Sequence, residues 1–371
     1  MSAVTLYGVP FSLYTGRPRS YFIKAGIPYR EMPPSSEHYM SAVLPKAGSR
    51  FGIPVAELAD GQVIRDGVAI VDFFESQSGF SFTPITPKQK IVSLLLDVIG
   101  AEGLLRPAMH YRWSFPENRK FLKFHFESAA PAGERRSALA TKGMDRMRDW
   151  SVSFGVNTKT APAIEALYIE LLSKLDNHFS RFPYFLGNKP CIGDFGMLAP
   201  LYAHLGRDPV PLALMQENAI RLFRWVERMN RPEPDFGEFD TSDEEYLKGD
   251  AIPDSLVDVL KLIAVDFVPE TKAAAECIND WLDQNPDLAT GTECERGVGL
   301  ASFVLGGTRM ETLAQPFRFY LLERVQAEFE QLDGNSQKTV RTMLEEIDMA
   351  QLLEISIGRK IGRDNNLEVW L

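Results

Sequence analysis

Residues 53–70, IPVAELADGQVIRDGVAI, decide the fold of the N-terminal part of this chain. Two short apolar runs flank Asp60-Gly61, and Asp-Gly between alternating apolar residues is a strong β-hairpin signal. Pro54 stands at the first position of a strand, which fits an edge strand or a cis peptide bond after Ile53. Asp66-Gly67 then opens a helix whose first N–H groups can hold a carboxylate. This stretch therefore predicts a site for one end of a small zwitterionic peptide.

A second set of motifs lies at the N-terminus. Residues 4–29, VTLYGVPFSLYTGRPRSYFIKAGIPY, resemble the first strand and helix of glutathione transferases, and the spacing from Ser12 to residues 26–28 is similar to that of the serine-type members. Ile53-Pro54 resembles the family's cis-proline, and residues 66–70, DGVAI, resemble its Glu-Ser-x-Ala-Ile motif.

A further match lies downstream, where Phe185-Leu186-Gly187 precedes Cys191-Ile192-Gly193-Asp194. This segment resembles the family's helix-capping box, in which Asp194 reaches back to the Cys191 N–H. The resemblance covers residues 1–235 and implies a bacterial-type member with a long C-terminal extension.

The resemblance implies a fold of three parts. Residues 1–80 are expected to form an α/β thioredoxin-like glutathione-binding domain. Residues 87–235 are expected to form an all-α glutathione-transferase-like substrate domain, and residues 255–371 an extra helical extension. The residue patterns agree with this order, because the first 80 residues alternate short strands and helices and later segments carry apolar stripes at helical spacing. Residues 232–254, with Pro, Gly and acidic residues, are typical of a linker or surface loop.

Composition narrows the classes of function. The chain has 371 residues, 45% hydrophobic and 24% charged, and a net charge of -10. This charge argues against a general nucleic-acid or anionic-membrane surface. No apolar run reaches the length of a bilayer span and the N-terminus lacks a signal pattern, so we expect a cytoplasmic protein. The three cysteines and five histidines are isolated, so we expect neither a disulfide framework nor a metal.

Three hydroxyls follow the first predicted strand, where the family activates glutathione. The thiol has an ordinary pKa of about 8.5, and a hydroxyl donor aimed at the sulfur stabilises the reactive thiolate. The resemblance favours Ser12 in this catalytic role, with Thr15 as the rival and Tyr14 as a further glutathione contact. The alternative is that Ser12 and Thr15 only cap the helix expected to begin near Arg17.

The resemblance also assigns the contacts of the tripeptide. Ile53, before Pro54, would pair its main chain with the cysteinyl residue. Asp66 would face the γ-glutamyl ammonium and the Gly67 N–H its carboxylate, although Asp66 could instead be a helix cap and Gly67 lacks the hydroxyl of the family's serine.

Other expected contacts lie outside this stretch. Arg50 or Lys46 would hold the glycyl carboxylate, unless they are solvated surface charges. For a hydrophobic second substrate, the aromatic segment with Met109, His110, Tyr111 and Trp113 could line a pocket. The alternative is ordinary helix packing around a buried arginine.

Two functions follow from these observations. The first is a glutathione-dependent transferase, lyase or isomerase acting on a hydrophobic electrophile, which we expect to be aromatic. The second is a non-catalytic binding or scaffold protein with a transferase-like fold, which the Gly67 replacement and the long extension favour. The resemblance also allows a homodimer. Fold alone does not choose among these reactions.

Overall fold

A four-stranded mixed sheet organises the first part of the chain. The computed structural model describes residues 4–233, 237–239 and 243–371. The sheet has the strand order β2-β1-β3-β4, in which β1 and β2 are parallel and the other two pairs are antiparallel. Its strands are β1 (Val4–Tyr7), β2 (Tyr29–Met32), β3 (Val55–Glu57) and β4 (Val63–Arg65). Helix α1 (Leu13–Lys24) crosses from β1 to β2, and helix α2 (Gly67–Ser78) follows β4. This arrangement confirms the thioredoxin-like α/β expectation.

Both faces of this sheet are covered. On one face, Leu6, Ala56 and Ile64 join the main core with α1 and α2. On the other face, a smaller cluster includes Tyr7, Val55 and residues of a π-helical turn, Tyr39–Val43. The sequence predicts a helix over residues 35–46, and the structure has helical residues at positions 37–43.

Eight α-helices lie between residues 87 and 229, a range that the structure describes throughout. They are α3 (Pro87–Val98), α4 (Leu105–Trp113), α5 (Arg119–Ala129), α6 (Arg136–Ser151), α7 (Ala161–Phe179), α8 (Ile192–Ala203), α9 (Pro209–Asn218) and α10 (Ile220–Met229). Helix α3 begins at Pro87 with Thr86 at its N-cap, and a π-helical turn, Ile99–Gly103, separates it from α4. Helix α8 is buried along most of its length and packs against α1 and α3, so it joins the two parts of the molecule.

The C-terminal extension contains three helices and two hairpins. Its elements are α11 (Asp254–Gln284), β5 (Leu300–Leu305), β6 (Thr308–Leu313), α12 (Pro316–Glu330), α13 (Gly334–Glu346), β7 (Ile361–Asp364) and β8 (Leu367–Trp370). Helix α11 packs on α7, whereas α12 and α13 pack on α3. No helix within the described ranges is long and apolar enough to span a membrane.

The structure corrects two expectations. Helix α1 begins at Leu13 rather than near Arg17, and Pro18 lies inside it. The extension is not purely helical, because it contains the hairpins β5–β6 and β7–β8. Their turns are formed by Gly306-Gly307 and Asn365-Asn366, which have positive φ angles. The expected domain boundary at residue 235 lies outside the described residues.

Candidate functional site

The hydroxyls after β1 differ in what they can reach. Ser12 is the N-cap of α1, and its Oγ accepts from the Thr15 N–H at 3.3 Å. Ser12 is half-buried, and within the described residues its own hydroxyl proton has no acceptor. The hydroxyl can therefore cap the helix and still donate to a ligand, so the capping alternative and the thiolate role are compatible.

Thr15 points into the protein. It is 0% exposed, and its Oγ1 has no hydrogen-bond partner among the residues that the structure describes. Its side chain fills the space beside Gly8, where an added Cβ would lie 2.2 Å from the Thr15 Cγ2. A ligand sulfur could not reach this hydroxyl without local rearrangement, so the geometry favours Ser12 over Thr15.

Tyr14 lies at the border between the sheet domain and the helices. Desolvation, followed by the charge of Glu102, raises the pKa of the Tyr14 hydroxyl, which stays protonated and remains a donor. Glu102 lies in the π-helical turn after α3 and accepts from Gln315 Nε2 at 2.6 Å. Burial raises the pKa of Glu102 to about 7, against the opposing charge of Arg318.

The main chain just before β3 has polar groups that are available for pairing with a ligand. The Ile53-Pro54 peptide bond is cis, as predicted. Pro54 C=O accepts from the Asp66 N–H at 3.1 Å and fixes the hairpin at its base. Within the part of the chain that the structure describes, neither the N–H nor the C=O of Ile53 makes a hydrogen bond. Because Ile53 is also partly exposed, an extended peptide could pair with it as a further strand would.

Asp66 caps helix α2 and carries a left-handed backbone. Its φ is 82°, and its Oδ2 accepts from the Ala69 N–H at 3.2 Å. The N–H groups of Gly67 and Val68 have no acceptor among the described residues, so this helix start can still receive an anion. The cap role expected as an alternative for Asp66 is present, and it leaves Oδ1 without a partner in the described structure.

The local packing explains why position 67 is a glycine. A Cβ added there would lie 3.0 Å from the Tyr14 C=O and 3.4 Å from Pro18 Cδ. Pro18 has no N–H, so it cannot bond the Tyr14 C=O as an ordinary helix residue would. The Tyr14 C=O thus has no partner at Pro18, and it lies close to the start of α2. Gly67 leaves room for this close approach, because it has no Cβ.

The expected partners of the glycyl carboxylate are already engaged. Arg50 pairs with Glu293 at 2.7 Å and also donates to the Cys294 C=O. Lys46 donates to the Gly61 C=O at 2.9 Å. Arg296, which the sequence did not single out, donates to the Phe51 C=O at 3.0 Å beside the open Ile53. In the described residues no carboxylate lies within ion-pair distance of Arg296.

The aromatic segment of α4 favours the packing alternative. Met109, His110 and Tyr111 are all buried. His110 contacts Glu165 at 2.8 Å, and Tyr111 stacks on Phe115. The burial of these three side chains favours helix packing over substrate contact.

The neighbours of that segment complete this packing. Arg112 donates to Asp208 at 2.6 Å, which is the buried ion pair that the packing alternative requires. Trp113 is only partly buried and packs against Phe126, so it remains the one member of the segment with some exposure.

The C-terminal hairpin contributes residues that sequence reasoning missed. Arg363 Nη1 donates to Asp66 Oδ2 at 3.1 Å, and its Nη2 donates to the Arg65 C=O at 2.8 Å. The Asn366 side chain accepts from the Arg65 N–H and donates to the Val63 C=O, as a neighbouring strand would. Asn-Asn between apolar residues is a hairpin signal, but nothing in the sequence indicates where the hairpin docks.

The described residues contain no group of three His, Cys, Asp or Glu side chains that could hold a metal ion. Carboxylates near the site are paired with arginines, as in the contacts of Asp66 with Arg363 and of Asp97 with Arg17. Among the described residues, the polar groups that stay open here include the N–H and C=O of Ile53, two N–H groups at the start of α2, Asp66 Oδ1 and the Ser12 hydroxyl. This donor set suits a small peptide with a carboxylate and a thiol.

The fold and the site define a class: a thioredoxin-like domain with a cis-proline, followed by a helical region that packs on it. Residues 6–82 match the family model described as the N-terminal domain of glutathione S-transferase. Residues 6–82 therefore form a domain of the glutathione S-transferase N-terminal type. No curated protein matches the chain.

Solved structures show similarity at low identity. One is a glutathione S-transferase from Methylobacterium radiotolerans JCM 2831 in complex with glutathione sulfonate, which is 15% identical to this chain. The match covers 62% of this chain and 90% of that chain, with a TM-score of 0.37. A family member from Pseudomonas fluorescens Pf-5 with two glutathione bound is 14% identical, covering 62% and 89% with a TM-score of 0.36. A glutathione S-transferase from Rhodospirillum rubrum F11 is 14% identical, covering 69% and 99% with a TM-score of 0.38.

Proposed function

We propose that the chain binds glutathione at its N-terminal domain and holds it as a thiolate for attack on an electrophile. The observation that carries this proposal is the open main chain of Ile53 beside the cis Pro54, together with the open N–H groups at the start of α2. The cysteinyl residue would pair with Ile53, and the γ-glutamyl carboxylate would meet Gly67 and Val68. Asp66 Oδ1 would accept from the ammonium.

Ser12 is the proposed thiolate stabiliser. Its hydroxyl proton is free to donate, and it stands at the N-terminus of α1, where the helix dipole favours negative charge. Lowering a thiol pKa by about two units needs about 2.7 kcal/mol, which one or two charge-assisted hydrogen bonds supply. Thr15 is buried behind the loop, and we propose for it a packing role.

The proposed reaction is nucleophilic attack of the glutathione sulfur on a hydrophobic electrophile, by conjugation, thiolytic ether cleavage or isomerisation. The buried Met109, His110 and Tyr111 are not part of the substrate surface in this proposal. Tyr14, 39% exposed, and Phe51, 50% exposed, instead offer aromatic surface near the open Ile53. A cytoplasmic location and self-association stay predictions from the sequence.

A second function, glutathione binding without turnover, is favoured by one observation. Asp66 is already paired with Arg363 of the same chain, and α12 of the extension packs on α3 beside the site. These contacts bring the extension to the proposed site, as expected of a binding or scaffold protein.

Isothermal titration of glutathione tests the binding proposal. We expect a dissociation constant in the micromolar to millimolar range, about −4 to −8 kcal/mol. Absence of both heat and thermal stabilisation at about 10 mM glutathione would reject the proposal. Thiolate absorbance of the bound tripeptide at neutral pH then separates the two functions, because a binding protein without turnover has no need of an ionised sulfur.

A further inference from the structure

The C-terminal hairpin places a cation against the carboxylate that the proposed glutathione site uses. Arg363 is held by Asp66 and by the C=O groups of Arg65 and Asn366, and it also lies 3.4 Å from Glu368. Its side chain is 17% exposed, and the Tyr320 ring covers it at 5.9 Å. The guanidinium is therefore fixed in position before any ligand arrives, which reduces the entropy lost on binding.

The hydrogen bonds of this pair are incomplete. A guanidinium has five N–H donors, and three of those on Arg363 are used by Asp66, Arg65 and Asn366. Its Nε–H and the second Nη1–H have no acceptor in the described part of the chain. On Asp66, Oδ2 has two donors, whereas Oδ1 has none among the same residues. An open acceptor thus stands next to two open donors.

This juxtaposition matches one chemical group. An α-amino-acid head carries an ammonium, which needs an acceptor, and a carboxylate, which needs donors, both on a single carbon. We propose that Arg363 of the C-terminal hairpin binds the α-carboxylate of the γ-glutamyl residue while Asp66 binds its ammonium. The inference rests on the proposed function and adds to it a specificity residue outside the N-terminal domain.

Arg363 also compensates for the residue at position 67. The family's serine would offer a hydroxyl to this carboxylate, but a Cβ at Gly67 would press on the Tyr14 C=O at 3.0 Å. A guanidinium from the hairpin supplies charge-assisted donors from the opposite side. The extension then has a role in recognition, because Asn366 fixes the hairpin to β4 through Val63 and Arg65.

The test compares Arg363→Gln with the unmodified protein, using glutathione and an analogue whose γ-glutamyl α-carboxylate is an amide. We expect Arg363→Gln to weaken glutathione about tenfold to a hundredfold and Arg363→Lys to weaken it less. The analogue should bind the unmodified protein weakly, and Arg363→Gln should change its affinity by less than about threefold. Arg309→Gln, on the other hairpin and 73% exposed, is the control and should bind as the unmodified protein does.

The outcomes separate the two proposals. If the unmodified protein does not bind glutathione, the proposed function fails. If it binds and Arg363→Gln binds equally well, only the role of Arg363 fails. Tighter binding by Arg363→Gln would mean that the arginine competes with the ammonium for Asp66, which also overturns the inference. Should Arg363→Gln not fold, equal affinity of the unmodified protein for glutathione and its amide would overturn it instead.

Discussion

At the scale of the residue, two hydroxyls three positions apart have different surroundings. Ser12 is half-buried at the start of α1, whereas Thr15 is fully buried against Gly8. Both residues fit the same motif in the sequence. Only the direction of each side chain from the first turn of the helix distinguishes Ser12, the proposed ligand donor, from Thr15, the packing residue.

Ser12→Ala should raise the pKa of the bound glutathione thiol by one to two units while changing affinity little. The hydroxyl favours the ionised sulfur much more than the rest of the tripeptide, and this shift corresponds to about 1.4–2.7 kcal/mol. Ultraviolet absorbance of the thiolate, followed against pH, measures it. Thr15→Val is the control and should leave the titration unchanged. The opposite pattern would assign the role to Thr15.

Gly67→Ala should destabilise the protein by about 1–2 kcal/mol, because the new Cβ would press on the Tyr14 C=O. Gly334 offers a matched control: it is likewise the first residue of a helix after an aspartate N-cap, and an added Cβ there meets nothing within 4 Å. Gly334→Ala should be neutral or stabilise by about 0.5 kcal/mol. Denaturant unfolding compares the two, and equal effects would contradict the proposed close approach.

At the scale of the element, the start of α8 depends on a single carboxylate. Asp194 accepts from the Cys191 N–H at 2.9 Å, which confirms the predicted capping contact. It also accepts from the Phe185 N–H and from Trp225 Nε1, contacts that no sequence pattern indicated. Burial raises the pKa of Asp194 to about 6, although these hydrogen bonds favour its ionised form. The cap thus joins α8 to α10 and to the preceding loop.

Asp194→Ala should cost about 3 kcal/mol or more, because it leaves three buried donors without an acceptor. Asp194→Asn keeps one oxygen acceptor and should cost less. Urea unfolding gives the difference, with Asp333→Ala, an exposed cap of α13, expected to lose only about 1 kcal/mol. If Asp194→Ala costs no more than Asp333→Ala, the wider role of Asp194 is wrong.

At the scale of the whole molecule, buried charges connect the three parts of the chain. Asp97 of α3 accepts from Arg324 of α12 at 3.1 Å and lies 3.2 Å from Arg17 of α1. Arg324 also pairs with Asp72 of α2 at 2.7 Å. The side chain of Asp97 is only 2% exposed, so the carboxylate that connects the sheet domain, the helical region and the extension is desolvated.

Asp97→Ala should therefore destabilise the whole protein by about 3–5 kcal/mol, because it leaves two arginines without their shared carboxylate. Glu311→Ala, which breaks a pair 73% and 57% exposed, is the surface control and should cost under about 1 kcal/mol. Calorimetry measures both, and a change confined to the extension would contradict a shared network.

Acid should weaken the contact between α7 and the extension. His178 lies 3.0 Å from Ser255 of α11, and burial lowers its pKa from 6.5 to about 4. Between these values the unfolded chain binds a proton at His178 that the folded chain does not, so the contribution of His178 to stability falls as pH falls, by up to about 3 kcal/mol below pH 4. His178→Gln should flatten this dependence in unfolding experiments from pH 7 to 4. Part of the slope should persist, because burial also lowers the pKa of His204. An unchanged slope would contradict the prediction.

The sequence by itself determined the elements whose signals are local. The Asp60-Gly61 hairpin and the cap at Asp194 follow from turn and capping patterns that act within a few positions. The cis bond before Pro54 follows from a motif of the same range. Such patterns fixed the fold class and the region of the site.

Only the tertiary structure decided which of the candidate side chains are buried and which are open. Thr15 is buried by Gly8, Met109 and Tyr111 are buried between helices, and Arg363 reaches Asp66 across 297 positions of sequence. These outcomes depend on how distant elements pack, and a pattern with a period of two or four residues carries no information about the partner element. Arg363 and Asp66 are thus in contact because a C-terminal hairpin docks on the edge strand β4.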